Sequence, residues 1–209
     1  LSSVAETGKE IILSTGMATS DEIRRSVDVI KNKNPNCKIS LMHCISAYPA
    51  PLDAINLKSI KTMQETFNLD VGFSDHTLGS EASILAYALG AKTIEKHVTN
   101  NNKRKGPDHR FSAEPKILRE IVEGINRVKT LSGSGKKFTN EIEETNKRLG
   151  RRSAFTTKVI EKGEKLSKEH FRYVRPGVGI PANSTETIIG RKLNKRLDKG
   201  FPITWEDLE

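Results

Sequence analysis

A chain of 209 residues with 35% hydrophobic and 29% charged content has apolar material for one large domain or two modest ones. No run approaches the roughly 18 apolar residues of a membrane span, and Leu1-Ser2-Ser3-Val4 is no signal peptide; a soluble, cytoplasmic protein with no membrane partner is expected. The net charge of +9 is uneven, with 18 Lys+Arg against 15 Asp+Glu in residues 1–131 and 17 against 11 in residues 132–209. That basic third raises nucleic acid as a partner, but aromatics are only 5% and no basic helix or stacking platform accompanies it. An anionic small substrate fits at least as well, and no nucleic-acid partner is expected. The absence of an initiator Met and the helix-like opening read as a piece of a longer protein.

In chain order, residues 1–8 read as a helix tail closed by Gly8, and Ile11–Thr15 as a buried strand ending at Gly16. Thr19-Ser20-Asp21-Glu22 is a capping box, with Glu22 three residues after Thr19. Ile23, Val27 and Ile30 continue it as an amphipathic helix to about Lys33, where Asn34-Pro35-Asn36 breaks the pattern. Lys38–Cys44 is a second strand, followed by a loop stiffened by Pro49 and Pro51 and by a helix to about Phe67. Leu69–Phe73 is the third strand. A small-residue helix from Ser80 to Leu89 follows, with Gly90 in the position that favours a left-handed backbone. Thr93–Val98 is the fourth strand. After the polar loop Asn100–Arg110, a helix from Pro115 to Leu131 puts Ile117, Leu118, Ile121, Ile125 and Val128 on one face.

Four strand–helix units in succession imply a parallel α/β sheet with right-handed crossovers. Four units are too few to close a (β/α)8 TIM barrel, so the segment reads as an open sheet or as the second half of such a barrel. The second half is the preferred reading, because polar residues recur at the same end of successive strands and no glycine-rich phosphate fingerprint follows the first. Residues 132–150 read as a polar linker with a short exposed helix near Glu141–Arg148. Residues 151–209 then alternate short β-like runs (Ala154–Ile160, Phe171–Val174, Ile188-Ile189, Ile203-Thr204) with turns. Lys162-Gly163-Glu164 and Lys199-Gly200-Phe201 look like two copies of one turn, a hint of internal pseudo-symmetry.

The stretch richest in chemistry is Gly72-Phe73-Ser74-Asp75-His76-Thr77, answered by Glu95-Lys96-His97. Alternation places Ser74 with His76 on one face and Glu95 with His97 on one face. Two imidazoles at neighbouring strand ends can share a divalent cation; two satisfied strand-end histidines are the plainer alternative, and on the residues alone the two readings stand level. Asp75 points away from His76 and reads as a supporting group. Glu95 lies one pleat deeper, where a buried carboxylate calls for a cationic partner. Cys37 and Cys44 lack metal-site spacing and read as packed thiols.

Four motifs now carry a resemblance: His43-Cys44-Ile45-Ser46-Ala47-Tyr48-Pro49, Gly72 to Thr77, Glu95-Lys96-His97 and Gly106-Pro107-Asp108-His109. In this order and spacing they resemble the sialic acid synthase family of N-acetylneuraminate, legionaminate and pseudaminate synthases. Arg152-Ser153, Lys162-Gly163-Glu164 and Arg175-Pro176-Gly177-Val178-Gly179 resemble that family's antifreeze-like SAF domain. The resemblance implies three parts: the C-terminal half of a TIM-barrel synthase domain (1–131), a linker (132–150) and a β-clip SAF domain (151–209). It implies a transferase that condenses phosphoenolpyruvate with an N-acetylated aminosugar, typically N-acetylmannosamine, and whose N-terminal half of the active site lies outside this chain.

By the same resemblance His76 and His97 are ligands of Mn2+ or another divalent cation, with His97 also catalytic. Ser14 or Thr15, Ser46 and Ser74 contact phosphate or carboxylate oxygens, Tyr48 contacts sugar or phosphoenolpyruvate, and Asp108 binds sugar hydroxyls. Arg175 is projected from the SAF domain into the site of a partner subunit in a domain-swapped homodimer. Without the resemblance, the serines read equally as turn caps, Tyr48 as a loop anchor beneath Pro49, Asp108 as a turn residue and Arg175 as a surface cation. Two rivals of another class stand beside the synthase: a non-catalytic SAF-type binding module, and a nucleic-acid binder whose retention would fall steeply with salt.

Overall fold

Short apolar runs alternating with amphipathic helices fold, over the first part of the chain, into a four-stranded parallel sheet. The computed structural model describes all of residues 1–209 and divides into two units, Leu1–Gly135 and Lys136–Glu209. In the first, helix α1 (Ser2–Ala5) precedes strand β1 (Ile11–Ser14), and α2 (Ser20–Lys33) leads to β2 (Ile39–Cys44). Helix α3 (Lys58–Phe67), β3 (Asp70–Asp75), α4 (Glu81–Ala88), β4 (Ile94–Lys96) and α5 (Pro115–Ser132) follow. The strand order is β1-β2-β3-β4, each pair parallel, so β1 and β4 are the edges.

The period of two sorts the strand residues. Ile11, Ile39, Leu41, Val71 and Phe73 are buried in the core with Ile23 and Ile30 of α2, Ile60 and Met63 of α3, and Ala82 and Ala86 of α4. Burial of each of these side chains other than the alanines contributes roughly 1.5–3 kcal/mol relative to exposure. The capping box at α2 is present, with the Thr19 N–H donating to Glu22 Oε2 at 2.7 Å. On α5 the expected stripe is narrower: Ile121 is buried, Ile117, Ile125 and Val128 are partly so, and Leu118 is 43% exposed. Leu118 instead lines a shallow apolar groove with Val98 and Val122, because the sheet stops at β4 and nothing packs on that flank. The opposite face of the sheet is open, and Ile12 there is 58% exposed.

The second unit takes in the stretch that leads into residue 151. Residues 136–150, read as linker, include α6 (Glu144–Gly150), whose Arg148 carbonyl accepts from Gly177 N–H at 2.7 Å. Strands β5 (Ser153–Thr156) and β6 (Phe171–Val174) pair antiparallel. The run at Ile188-Ile189 is not β: Ile188 ends the short helix α7 (Thr185–Ile188), with its side chain buried in the core. Ile203-Thr204 is no strand either, although the Ile203 N–H donates to the Ala154 carbonyl at 2.9 Å.

The two similar turns are related by a local pseudo-two-fold. Ile160 and Leu197 exchange backbone hydrogen bonds of 2.9 and 3.0 Å, and the bridges Phe155–Pro202 and Lys165–Lys192 are equivalent under the offset that carries Gly163 to Gly200. Each turn is followed by a capped 3-10 turn, Ser167 with His170 and Thr204 with Asp207. His170 Nδ1 accepts from the Ser167 N–H at 2.8 Å, while Asp207 Oδ2 accepts from the Thr204 N–H at 2.7 Å. Burial pushes the Asp207 carboxyl up, but the donors Lys195 and Thr204 outweigh it and hold it below the usual carboxylate range. A depressed folded pKa stabilises fully above the ordinary value of about 3.9 and is lost as pH falls through the lower folded value. Asp207→Ala, which deletes the cap as well as the charge, is therefore expected to cost about 1–2 kcal/mol at pH 7. Denaturant titrations of the variant and wild type should converge as the pH is lowered below about 4.

No helix is long and apolar enough to cross a membrane.

Candidate active site

The open face of the sheet collects the polar strand ends. Ser14 lies beside Met42 in the β1–β2 register, Cys44 beside Ser74 in β2–β3, and Ser74 beside Glu95 in β3–β4. Two glycines keep this floor low. A Cβ at Gly72 would press on Met42 Sδ and the Thr93 carbonyl, and one at Gly16 would run into Ser46 Oγ and Cys44 Sγ. Ser14, Ser46 and Ser74 are thus gathered at one end of the sheet. Both cysteines are free and buried, and burial pushes the Cys44 thiol up, as suits packing rather than nucleophilic work.

His76 and His97 meet at this end with ring centroids 5.6 Å apart and planes at 65°. His76 Nδ1 is 2.7 Å from the Ile45 carbonyl, which can only accept, so Nδ1 carries the proton and Nε2 presents a lone pair. Nε2 faces Ser74 Oγ at 3.4 Å, but the single hydroxyl proton of Ser74 is donated to Glu95 Oε1 at 2.6 Å. With the ring neutral, no proton is left for the space between Nε2 and Oγ. A lone pair fixed this way, by a backbone acceptor on the other ring nitrogen, is the arrangement of a metal-ligating histidine. No three His, Cys, Asp or Glu side chains converge as a ligand set, so a cation at this end would take two imidazoles from this chain and would need its other donors from elsewhere.

Aromatic rings wall the pair. The Tyr48 ring lies over His76 at 4.2 Å between centroids, and Phe111 stands edge-on to His97 at 5.3 Å and 5.5 Å from Tyr48. Asp108 Oδ2 is 3.8 Å from His97 Nδ1, on a side chain left 58% exposed. Its loop is pinned from within. Asn102 Nδ2 donates to the carbonyls of His109 and Ser112, both at 2.7 Å, and Ser112 Oγ donates to the Asp108 carbonyl at 2.7 Å.

Other residues take different places. Thr15 is buried and its hydroxyl donates to the Met42 carbonyl at 2.9 Å, so Ser14, not Thr15, presents a hydroxyl on the open face. Glu95 is exposed and its partner is the Ser74 hydroxyl; the buried ion pair expected of it is instead made by its neighbour Lys96, with Asp75. The reason is alternation: Glu95 belongs to the open face and Lys96 to the covered one. Arg175 belongs to the second unit, where it is exposed and its Nε donates to the Gly150 carbonyl at 2.8 Å. Phe111, Asn102 and Lys96 escaped the sequence reading. Only Lys96 had a signal, its place between two site residues in Glu95-Lys96-His97.

Comparison with known proteins sets this geometry in context. Residues 1–137 match the model of the NeuB family and residues 151–209 that of the SAF domain. The chain is 38% identical over 202 residues to the N,N'-diacetyllegionaminic acid synthase of Legionella pneumophila, spanning 95% of this chain and 57% of that protein. Among solved structures, a spore coat polysaccharide biosynthesis protein E of Chromobacterium violaceum superposes with a TM-score of 0.82 at 26% identity, over 99% of this chain and 62% of that one. The N-acetylneuraminic acid (sialic acid) synthetase of Leptospira borgpetersenii aligns over 69% of this chain and 50% of its own, at 36% identity and a TM-score of 0.63. The chain therefore spans between half and two thirds of the length of these proteins.

Proposed function

The chain belongs to the NeuB family, and we propose that it carries the cation- and sugar-binding part of a synthase that condenses phosphoenolpyruvate with an open-chain N-acetylated aminosugar. In this reaction C3 of the enol bonds to the aldehyde carbon, a water oxygen bonds to C2, and the C2–O bond to phosphate breaks. The products are a 2-keto sugar acid and inorganic phosphate. N-Acetylmannosamine, giving N-acetylneuraminate, is the leading substrate, in keeping with the named activity of the Leptospira protein. Legionaminate synthesis is the second reading, supported by the 38% identity to the Legionella enzyme.

The observation that carries the proposal is the His76 ring, anchored through Nδ1 to the Ile45 carbonyl with Nε2 turned toward the open face, next to the His97 ring. A divalent cation such as Mn2+, held by these two imidazoles, supplies electrophilic help at the aldehyde oxygen. Ser14 and Ser46 donate to phosphate or carboxylate oxygens, Ser74 joins them once its proton is released from Glu95, and Asp108 accepts from sugar hydroxyls. Tyr48 and Phe111 restrict water around the two rings, which strengthens each polar contact in the site. In this reading the sheet is the second half of a (β/α)8 barrel and the second unit is a β-clip cap. Its Arg175 serves the site of the partner subunit in a domain-swapped homodimer, where a guanidinium fork matches a carboxylate or acyl oxygen.

The test is to incubate the full-length protein with phosphoenolpyruvate, Mn2+ and a panel of N-acetylated aminosugars, and to follow phosphate release. Release that requires both the sugar and the cation is expected. Absence of release with every sugar, while the intact protein binds Mn2+ normally, would turn the assignment toward a non-catalytic binding module.

A further inference from the structure

Directly behind the two histidines, on the covered face of the sheet, lies a buried ion pair. Asp75 and Lys96 are register partners at the ends of β3 and β4, with side chains 0% and 4% exposed and 2.9 Å between Nζ and Oδ2. The carboxylate is fully used. Oδ1 accepts from the Thr77 N–H and the Thr77 hydroxyl, both at 2.8 Å, and Oδ2 also accepts from Ser83 Oγ of α4 at 2.5 Å. Lys96 Nζ donates in addition to the Thr77 carbonyl at 2.7 Å. The ammonium thus holds residues 75 and 77, the two flanks of His76, while sitting on the residue that precedes His97.

Replacing such a pair by apolar residues of like volume is often neutral or stabilising, so packing alone does not call for it. What an apolar pair cannot do is tie both sides of one histidine to the strand that carries the other. The geometry points to Asp75 and Lys96 as positioning residues that set the separation and orientation of the His76 and His97 rings. This rests on the reading of those rings as ligands of a divalent cation, and adds the part of the fold that aligns them.

The test uses the full-length protein and the neutral double variant Asp75→Asn/Lys96→Met, which leaves no uncompensated charge. Its denaturation midpoint is expected to stay near that of wild type, while Mn2+ affinity, measured by electron paramagnetic resonance titration, falls roughly 10- to 100-fold. In the metal-free protein, nuclear Overhauser contacts between the His76 and His97 rings are expected in wild type and weakened in the double variant. Should the double variant fold poorly, Ser83→Ala removes one donor from Asp75 and keeps both charges; a smaller loss of affinity, at most about tenfold, is expected of it. Unchanged Mn2+ affinity and unchanged ring contacts in a folded double variant, or in Ser83→Ala where that variant does not fold, would reduce the pair to a structural role. If wild type and His76→Ala bind Mn2+ equally weakly, the metal reading fails, and the ring contacts alone then decide the positioning role.

Discussion

His76→Ala in the full-length enzyme is expected to lower Mn2+-dependent turnover by on the order of 10³-fold and to weaken Mn2+ binding. The estimate follows from the several kcal/mol that a cation contributes at a developing oxyanion, each 1.36 kcal/mol being tenfold in rate. Folding should suffer less. The His76 ring is buried, so its loss leaves the Ile45 carbonyl without its donor, at about 1–3 kcal/mol, and strips Tyr48 of its stacking partner. Thermal denaturation of the variant should therefore show a shifted but cooperative transition. Turnover that persists in His76→Ala, or in wild type stripped by a chelator, would remove the cation from the mechanism.

The parts of this site that were legible in the sequence are those governed by local rules. Strand alternation put Ser74 with His76 and Glu95 with His97 on shared faces, and the Thr19–Glu22 box located the start of α2, because both depend on residues a few positions apart. What could not be read depends on which elements end up neighbours. Leu118 fits the helical period of α5 but faces a flank that no strand covers, and Lys96 makes the buried pair expected of Glu95 because only one face of the sheet is packed. Ile188 and Ile203 are apolar for the sake of one small core, and a short apolar pair of this kind carries no period that separates strand from helix. The pseudo-two-fold was visible only as two similar glycine turns; the bridges between them are long-range pairings that turn chemistry does not encode.

Arg175→Ala is expected to reduce turnover about 10²- to 10³-fold, the range seen when one positioned donor to a developing charge is removed. Stability should hardly change, since the side chain is exposed and its single hydrogen bond, from Nε to the Gly150 carbonyl, is replaceable by water. That bond also orients the group: with Nε engaged, the two terminal nitrogens remain for a ligand. Complementation separates the swapped arrangement from a site built within one subunit. In a dimer of one His76→Ala and one Arg175→Ala subunit, a swapped arrangement yields one site with both defects and one with neither. Random one-to-one mixing after subunit exchange should then restore about a quarter of wild-type activity. If each subunit serves its own site, every site in the mixture carries a defect and nothing is restored, which would confine Arg175 to its own chain.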